Sequence, residues 1–269
     1  FCSRATVVLG KEMVLHPGDL VFEIDSAFQL AGKGSHAKII IDEMALLSLD
    51  THRPFESALK LWHEGGKAAT GRGISPAYMD VLLRQPLRMR DLVGWDRNRL
   101  TKHYRLYEAM IAGLGIKLSD ALVNSLVSES QISVGSLDEF LHRLKTQTKH
   151  LKPFVGDAIS FVRRTWKNQK YGFVFEKSQA IGLDYRWGVY PDITASDTTF
   201  SGIFSSTEGI VDPKQISTRC AVIKATYMSS VGTRIIPTMM SESLAHRIRE
   251  DAHEYGATTK RPRDIAYLD

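Results

Sequence analysis

Short β-branched runs alternate along the chain with stretches in which apolar residues recur every three or four positions. Ala5-Thr6-Val7-Val8-Leu9, closed by Gly10, reads as a buried strand. Pro17 opens a helix where its missing N–H costs nothing, and Leu20, Ile24 and Phe28 form the apolar stripe before Gly32 and Gly34. Ala37 to Ile41 is a second buried strand. Asp42 and Glu43 stand at its C-terminal end, where α/β sheets place ligand sites. A helix from Pro54 to His63 is ended by Gly65 and Gly66.

From Asp96 to Lys170 the helical period dominates. Asp96 caps a helix carrying Leu100, Tyr104, Tyr107 and Ile111. Ser119 is expected to cap a second, with Leu122, Val123, Leu126 and Val127 on one face. Ser136 and Glu139 make a capping box for a third, with Phe140, Leu141 and Leu144, and Phe154 to Trp166 is a fourth. Beyond them Tyr171 to Glu176 and Cys220 to Ala225 read as strands, separated by the long irregular stretch Lys177 to Pro213. Leu244 and Ile248 mark a last helix, and Gly256 to Arg263 forms a polar, cationic loop. The expected fold is α/β: a single domain over residues 1–269 with a mostly parallel central sheet flanked by helices, and a helical insertion over 96–170.

Composition narrows the function classes. The 269 residues are 43% hydrophobic and 24% charged, ordinary for a globular protein with a sizeable core. A net charge of +5 suits anionic small ligands but is too diffuse to argue for nucleic acid. Two cysteines, Cys2 and Cys220, support neither a disulfide framework nor a cysteine zinc site, and a cytoplasmic setting is the simplest expectation. No apolar run is long enough to span a membrane.

The densest chemistry lies in Thr70-Gly71-Arg72-Gly73-Ile74-Ser75-Pro76-Ala77-Tyr78. Glycines let a backbone turn sharply beside a ligand, and an arginine there presents a fork of donors, so the segment reads as an anion-binding loop leading into a helix. Asp50 and His52 form either an acid–base pair or a local turn. His103, His142 and His150 lack ligand spacing, and no metal site is expected. Thr70, Arg72, Gln179, Thr194, Thr258, Arg261 and Arg263 supply hydroxyl, amide and guanidinium donors. No nucleophile elbow or cysteine–histidine pair accompanies them, which favours positioning and charge neutralisation over covalent attack.

These residues resemble a family. Thr70 to Tyr78 is similar to the TGRGIGPAY segment of the adenylosuccinate synthetases, with Ser75 in place of a glycine. Leu49-Asp50-Thr51-His52 resembles their LDYH, Glu176 to Ala180 their EGAQG, and Tyr190 to Thr194 their YPFVT. Val231-Gly232 with Pro237-Thr238 resembles VGAGPFPT, Glu254 to Arg263 resembles EFGATTGRRRR, and Tyr267-Leu268-Asp269 resembles GWLD. The matches run in order along the chain.

The resemblance implies a P-loop-NTPase-like sheet and a homodimeric carbon–nitrogen ligase of purine biosynthesis. Such an enzyme joins L-aspartate to inosine monophosphate (IMP) at the expense of GTP, with Mg²⁺. It implies that Thr70, Arg84, Gln179, Thr194, Val231, Gly232 and Arg261 bind IMP, with Arg84 reaching its phosphate across the dimer interface. Thr258, Thr259, Arg261 and Arg263 would close on the aspartate carboxylates, and Arg72 would approach the active site from the dimer contact. The family's phosphate loop and catalytic residues are expected upstream of Phe1, and its guanine-recognition segment after Asp269, so the chain alone is expected to be inactive. Lys260, Pro262, Lys177, Ser178, Ala180 and Ser230 depart from the pattern. The departures leave room for a related synthetase acting on another purine nucleotide, or for a non-catalytic nucleotide-binding or dimerising fragment.

Overall fold

The computed structural model describes residues 5–32, 37–59, 70–125, 130–230, 235–256 and 260–268. Its centre is a parallel sheet in which β3 (Lys38–Asp42) lies between β1 (Thr6–Leu9) and β7 (Val155–Gly156). The register pairs Val7 with Ile39 and Ile41 with Val155. A second parallel pair, β2 (Val14–Leu15) with β4 (Leu46–Leu47), continues the same alternation. The expected α/β class with a mostly parallel sheet is therefore the observed one.

Helix α1 (Pro17–Ala31) buries Leu20 and Ile24, and Phe28 meets Phe154 with ring centroids 6.1 Å apart. α2 spans His52–Ala58, α3 Ile74–Leu82 and α4 Met89–Val93. α5 (Arg97–Ala112) is capped by Asp96, whose carboxylate accepts from Arg99 N at 3.1 Å. Its stripe of Leu100, Tyr104, Tyr107 and Ile111 is at most 1% exposed and forms the middle of the core. The capping box of α6 (Leu137–Leu151) closes as expected, with Ser136 N donating to Glu139 at 2.7 Å.

Residues 96–170 are not helical throughout. Where a helix capped by Ser119 was expected, the chain makes a single tight turn at Leu118–Asp120. It then forms an antiparallel pair, β5 (Leu122–Asn124) with β6 (Gln131–Ser133). Ser119 Oγ donates to Asp120 at 2.9 Å, which consumes the cap locally. Val123 faces inward opposite Ile132 while Leu122 faces out, the period of a strand. The expected helix from Phe154 to Trp166 is interrupted by β7, and α7 (Ala158–Thr165) restarts behind Asp157, whose carboxylate caps Ser160 N at 2.8 Å.

The second half is looser. Tyr171–Glu176 and Cys220–Ala225, expected as strands, pair with nothing among the described residues. Val174 is 95% exposed and Val222 97%. Phe173 and Phe175 still turn inward onto Trp166, at 5.1 and 5.7 Å between centroids. A strand-like pattern without a hydrogen-bonding neighbour does not make a strand. The long irregular stretch carries the short α8 (Ser201–Ser206), which buries Ile203 against Val162 and Val211. β8 (Met228–Ser230) pairs antiparallel with β9 (Asp264–Ala266), and α9 (Glu242–Ala252) contains the expected Leu244 and Ile248. Among the described residues no helix is long and apolar enough to cross a membrane.

Candidate functional site

The glycine loop is held by buried acids. Gly71 and Gly73 have φ of 74° and 73°, and a Cβ on Gly73 would lie 2.6 Å from His52 Cβ and 2.7 Å from Ser48 Oγ, so only glycine fits there. The amides at the head of α3 already have an anion. Glu56 takes Gly73 N–H on Oε2 at 3.0 Å and Ser75 N–H on Oε1 at 3.2 Å. The expected anion-binding turn is thus an internal one, because α2 delivers its own carboxylate to that helix end. Thr70 is exposed at the loop's start. Arg72 donates Nη1 to Asp19 Oδ2 at 2.7 Å, and the same oxygen accepts from Arg53 Nη2. Arg84 lies just past the end of α3 in the left-handed region, φ 63°, and is exposed.

Asp50 and His52 are not an acid–base pair with each other. Asp50 accepts from His16 Nε2 at 3.1 Å and from Arg143 at 3.2 Å. Burial pushes the Asp50 carboxyl up, but His16 and Arg143 outweigh it and hold it at about 2. His16 also accepts Asp19 N–H on Nδ1 at 3.2 Å and so caps α1. Burial lowers the His16 pKa, and Asp19 and Asp50 more than reverse that, so it is raised.

His52 faces Asp80 instead. With Leu49 N–H donating into its Nδ1 at 2.8 Å, the ring proton sits on Nε2 and reaches Asp80 Oδ2 at 3.1 Å. Tyr107 O–H donates to Asp80 Oδ1 at 3.0 Å, and His103 Nδ1 lies 3.6 Å from Oδ2. Burial keeps both histidines below the usual imidazole range, His103 well below it. The three potential ligand atoms of His52, Asp80 and His103 lie within 4.8 Å of one another. A cation among them would need a bare His52 Nε2, moving the proton to Nδ1, where Leu49 N–H already points. The cluster is a satisfied polar core joining α2, α3 and α5, which scattered histidines in the sequence did not reveal.

The other expected site residues fall in two groups. Gln179, in the left-handed region at φ 63°, accepts from Ser196 Oγ at 3.5 Å, and Ser196 lies 3.3 Å from Thr194 Oγ1. The structure therefore brings Gln179 and Thr194 together. Buried Asp184 ties that turn: it accepts from Arg186 N at 2.8 Å and from Thr198 N at 2.7 Å. Asp197 and Tyr185 of this stretch lie near Tyr78 of α3. Burial and the nearby Glu12, Asp197 and Tyr185 raise the Tyr78 hydroxyl to about 12.

Arg261 is exposed, and its carbonyl accepts from Gly256 N at 2.8 Å. Arg263 lies at the base of the same loop and donates to Glu254 Oε2 at 3.0 Å. Glu254, 5% exposed, also accepts from Tyr227 at 2.5 Å and from Lys224. Burial would raise Glu254, but these donors hold it at about 2. Val231, Gly232, Thr258 and Thr259 lie outside the described residues. Sequence reasoning missed Glu56, Asp19, Asp80 and Glu254. Their one local signal is an acid within an otherwise apolar or glycine-bounded stretch.

Known proteins match this chain along its length. The family model of adenylosuccinate synthetase matches residues 1–269. The adenylosuccinate synthetase of Thermus thermophilus is 33% identical over 266 residues, covering 99% of this chain and 58% of that protein. That of Leuconostoc mesenteroides is 31% identical over 264 residues, covering 97% of this chain and 57% of its own length. A solved structure of the fully ligated adenylosuccinate synthetase of Plasmodium falciparum superposes with a TM-score of 0.75 at 27% identity, over 97% of this chain and 57% of that one. The chain thus spans somewhat more than half the length of the relatives it matches.

Proposed function

The chain belongs to the adenylosuccinate synthetase family, and we propose that it holds the nucleotide and the amino acid of a carbon–nitrogen ligase joining L-aspartate to IMP. The observation that carries this reading is the family match over residues 1–269. Local chemistry supports it. A glutamine amide both donates and accepts, as a purine edge requires, and Gln179 stands beside Thr194 and Ser196. Thr70, Arg84, Val231, Gly232 and Arg261 complete the proposed IMP set, and Thr258, Thr259, Arg261 and Arg263 the aspartate set. A dicarboxylate needs cationic forks, which Arg261 and Arg263 supply. The dimer contact, with Arg72 and Arg84 at it, and a cytoplasmic setting belong to the same proposal.

GTP and Mg²⁺ are the co-substrate and ion that family membership implies. The described residues do not fit them. The loop amides that would cradle phosphate hold Glu56, and the histidine-rich cluster offers nitrogen where magnesium prefers oxygen. The chain's own part is to bind and orient the monophosphate and the amino acid.

Titration of IMP onto the protein tests the reading. Gln179→Ala is expected to weaken IMP binding about tenfold, the scale of one lost polar contact, without moving the unfolding midpoint. In the longer protein, Arg261→Ala is expected to raise the KM for aspartate by about tenfold or more. Unchanged IMP affinity in Gln179→Ala, together with unchanged aspartate kinetics in Arg261→Ala, would overturn it. The altered glutamine turn, with Lys177, Ser178 and Ala180, favours as a second reading a synthetase for another purine. Tighter binding of guanosine monophosphate than of IMP in the same titration would select it.

A further inference from the structure

Two amides at the head of a helix, with the helix dipole behind them, are a ready site for phosphate. In this chain that position is filled from within. Gly73 is the residue before α3 and Ser75 the second residue inside it, and one carboxylate bridges their N–H groups with both oxygens at 3.0 and 3.2 Å. Glu56 is 4% exposed, so the bridge is shielded from solvent. The carbonyl of Arg72 is fixed as well, accepting from Ser48 Oγ at 2.7 Å. On the opposite side Asp19 holds the Arg72 guanidinium, so the loop's backbone and its side chain are gripped by carboxylates from α2 and α1.

We infer that Glu56 is a positioning residue: a built-in anion that occupies the loop amides and fixes Thr70 and Arg72. A nucleotide at this loop is therefore met by the exposed side chain of Thr70 and not by a backbone phosphate cradle. A tethered carboxylate competes at a high effective concentration, so external phosphate does not displace it. The statement about the amides stands on geometry alone. Its extension to a nucleotide rests on the proposed function.

The test removes the tethered anion and offers a loose one. In Glu56→Ala the two N–H groups lose their acceptor, and the melting temperature is expected to fall by about 4–10 °C. Sodium formate or inorganic phosphate is expected to recover at least half of that fall. Sodium chloride of equal ionic strength is expected to recover none, and the wild type is expected to respond to none of these salts. Equal responses of wild type and variant, or no response of the variant to formate and phosphate, would overturn the inference. If Glu56→Ala does not fold, Glu56→Gln keeps the shape and halves the acceptor set. Hydrogen exchange at the Gly73 and Ser75 amides is then expected to quicken about tenfold, with the C-terminal turn of α3 unchanged. Unaltered exchange at those amides would equally overturn it. IMP titration of Thr70→Ala separates the two claims: formate rescue with unchanged IMP affinity keeps Glu56 as the internal anion and removes the nucleotide from this loop.

Discussion

The region around α2, α3 and α5 buries a set of four acids, whereas after Lys170 the buried acids Asp184 and Glu254 stand beside loops that stay at the surface. In the first, Asp19, Glu56, Asp80 and Asp50 are all at most 9% exposed, and each is met by named donors from other elements. In the second, Gln179 and Arg261 lie at the surface, and apolar Val174, Val222 and Ile223 are at least 76% exposed. Burial makes every unpaired charge costly, so each of these four carboxylates is held in place by its donors. The second leaves Gln179 and Arg261, which are proposed for recognition, in solvent, where a ligand can exchange with water at little cost. The contrast places rigidity under the glycine loop and accessibility in the loops proposed to receive the substrates.

The sharpest test of that contrast is Asp80→Ala. It leaves His52 Nε2–H buried without its acceptor and Tyr107 O–H with only the Pro76 carbonyl at 3.4 Å, and is expected to cost about 3–5 kcal/mol in urea unfolding. A loss below about 1 kcal/mol would show that the polar core is not what holds α2, α3 and α5 together. The next effect is on pH. Asp50 is depressed to about 2, so its stabilisation is present above the unfolded carboxylate pKa near 4 and is lost as pH falls through 2. It amounts to about 2 kcal/mol. His16 is raised, so its contribution is present below about pH 6.5 and disappears as pH rises through its folded value. This pair therefore stabilises most between about pH 4 and 6.5, and His16→Asn is expected to flatten the upper side of that profile. An unchanged profile would detach the pair from stability. The smallest effect belongs to the second region. Val174→Lys and Val222→Lys are expected to stay within about 0.5 kcal/mol of wild type, whereas Ile41→Lys, in the central strand, is expected to prevent folding. A large loss at Val174 would mean that its run is packed after all.

Legibility in the sequence followed the same division. The Leu100–Ile111 stripe, the Ser136–Glu139 box and the β1 and β3 strands each depend on neighbours within a few residues or on simple burial, and spacing displayed them. Leu122–Asn124 was misread because a short apolar run suits helix and strand alike, and its partner β6 settles the choice. Tyr171–Glu176 and Cys220–Ala225 fail in the other direction. Their residues favour strand, but a ladder requires a second chain segment at hydrogen-bonding distance. For the site, spacing and resemblance pointed to Gln179 and Thr194, and the turn tied by Asp184 does bring them together.

By itself the sequence determined the α/β alternation, the helix caps and the glycine loop with its threonine and arginine. These arise from φ preferences and hydrogen bonds that close within one turn. Only the tertiary structure decided what the loop holds. The bonds from Glu56 to Gly73, from His52 to Asp80 and from Arg72 to Asp19 span 17, 28 and 53 residues of sequence. No local spacing encodes such pairings, because they depend on which helices pack together and on burial making each charge find its partner there.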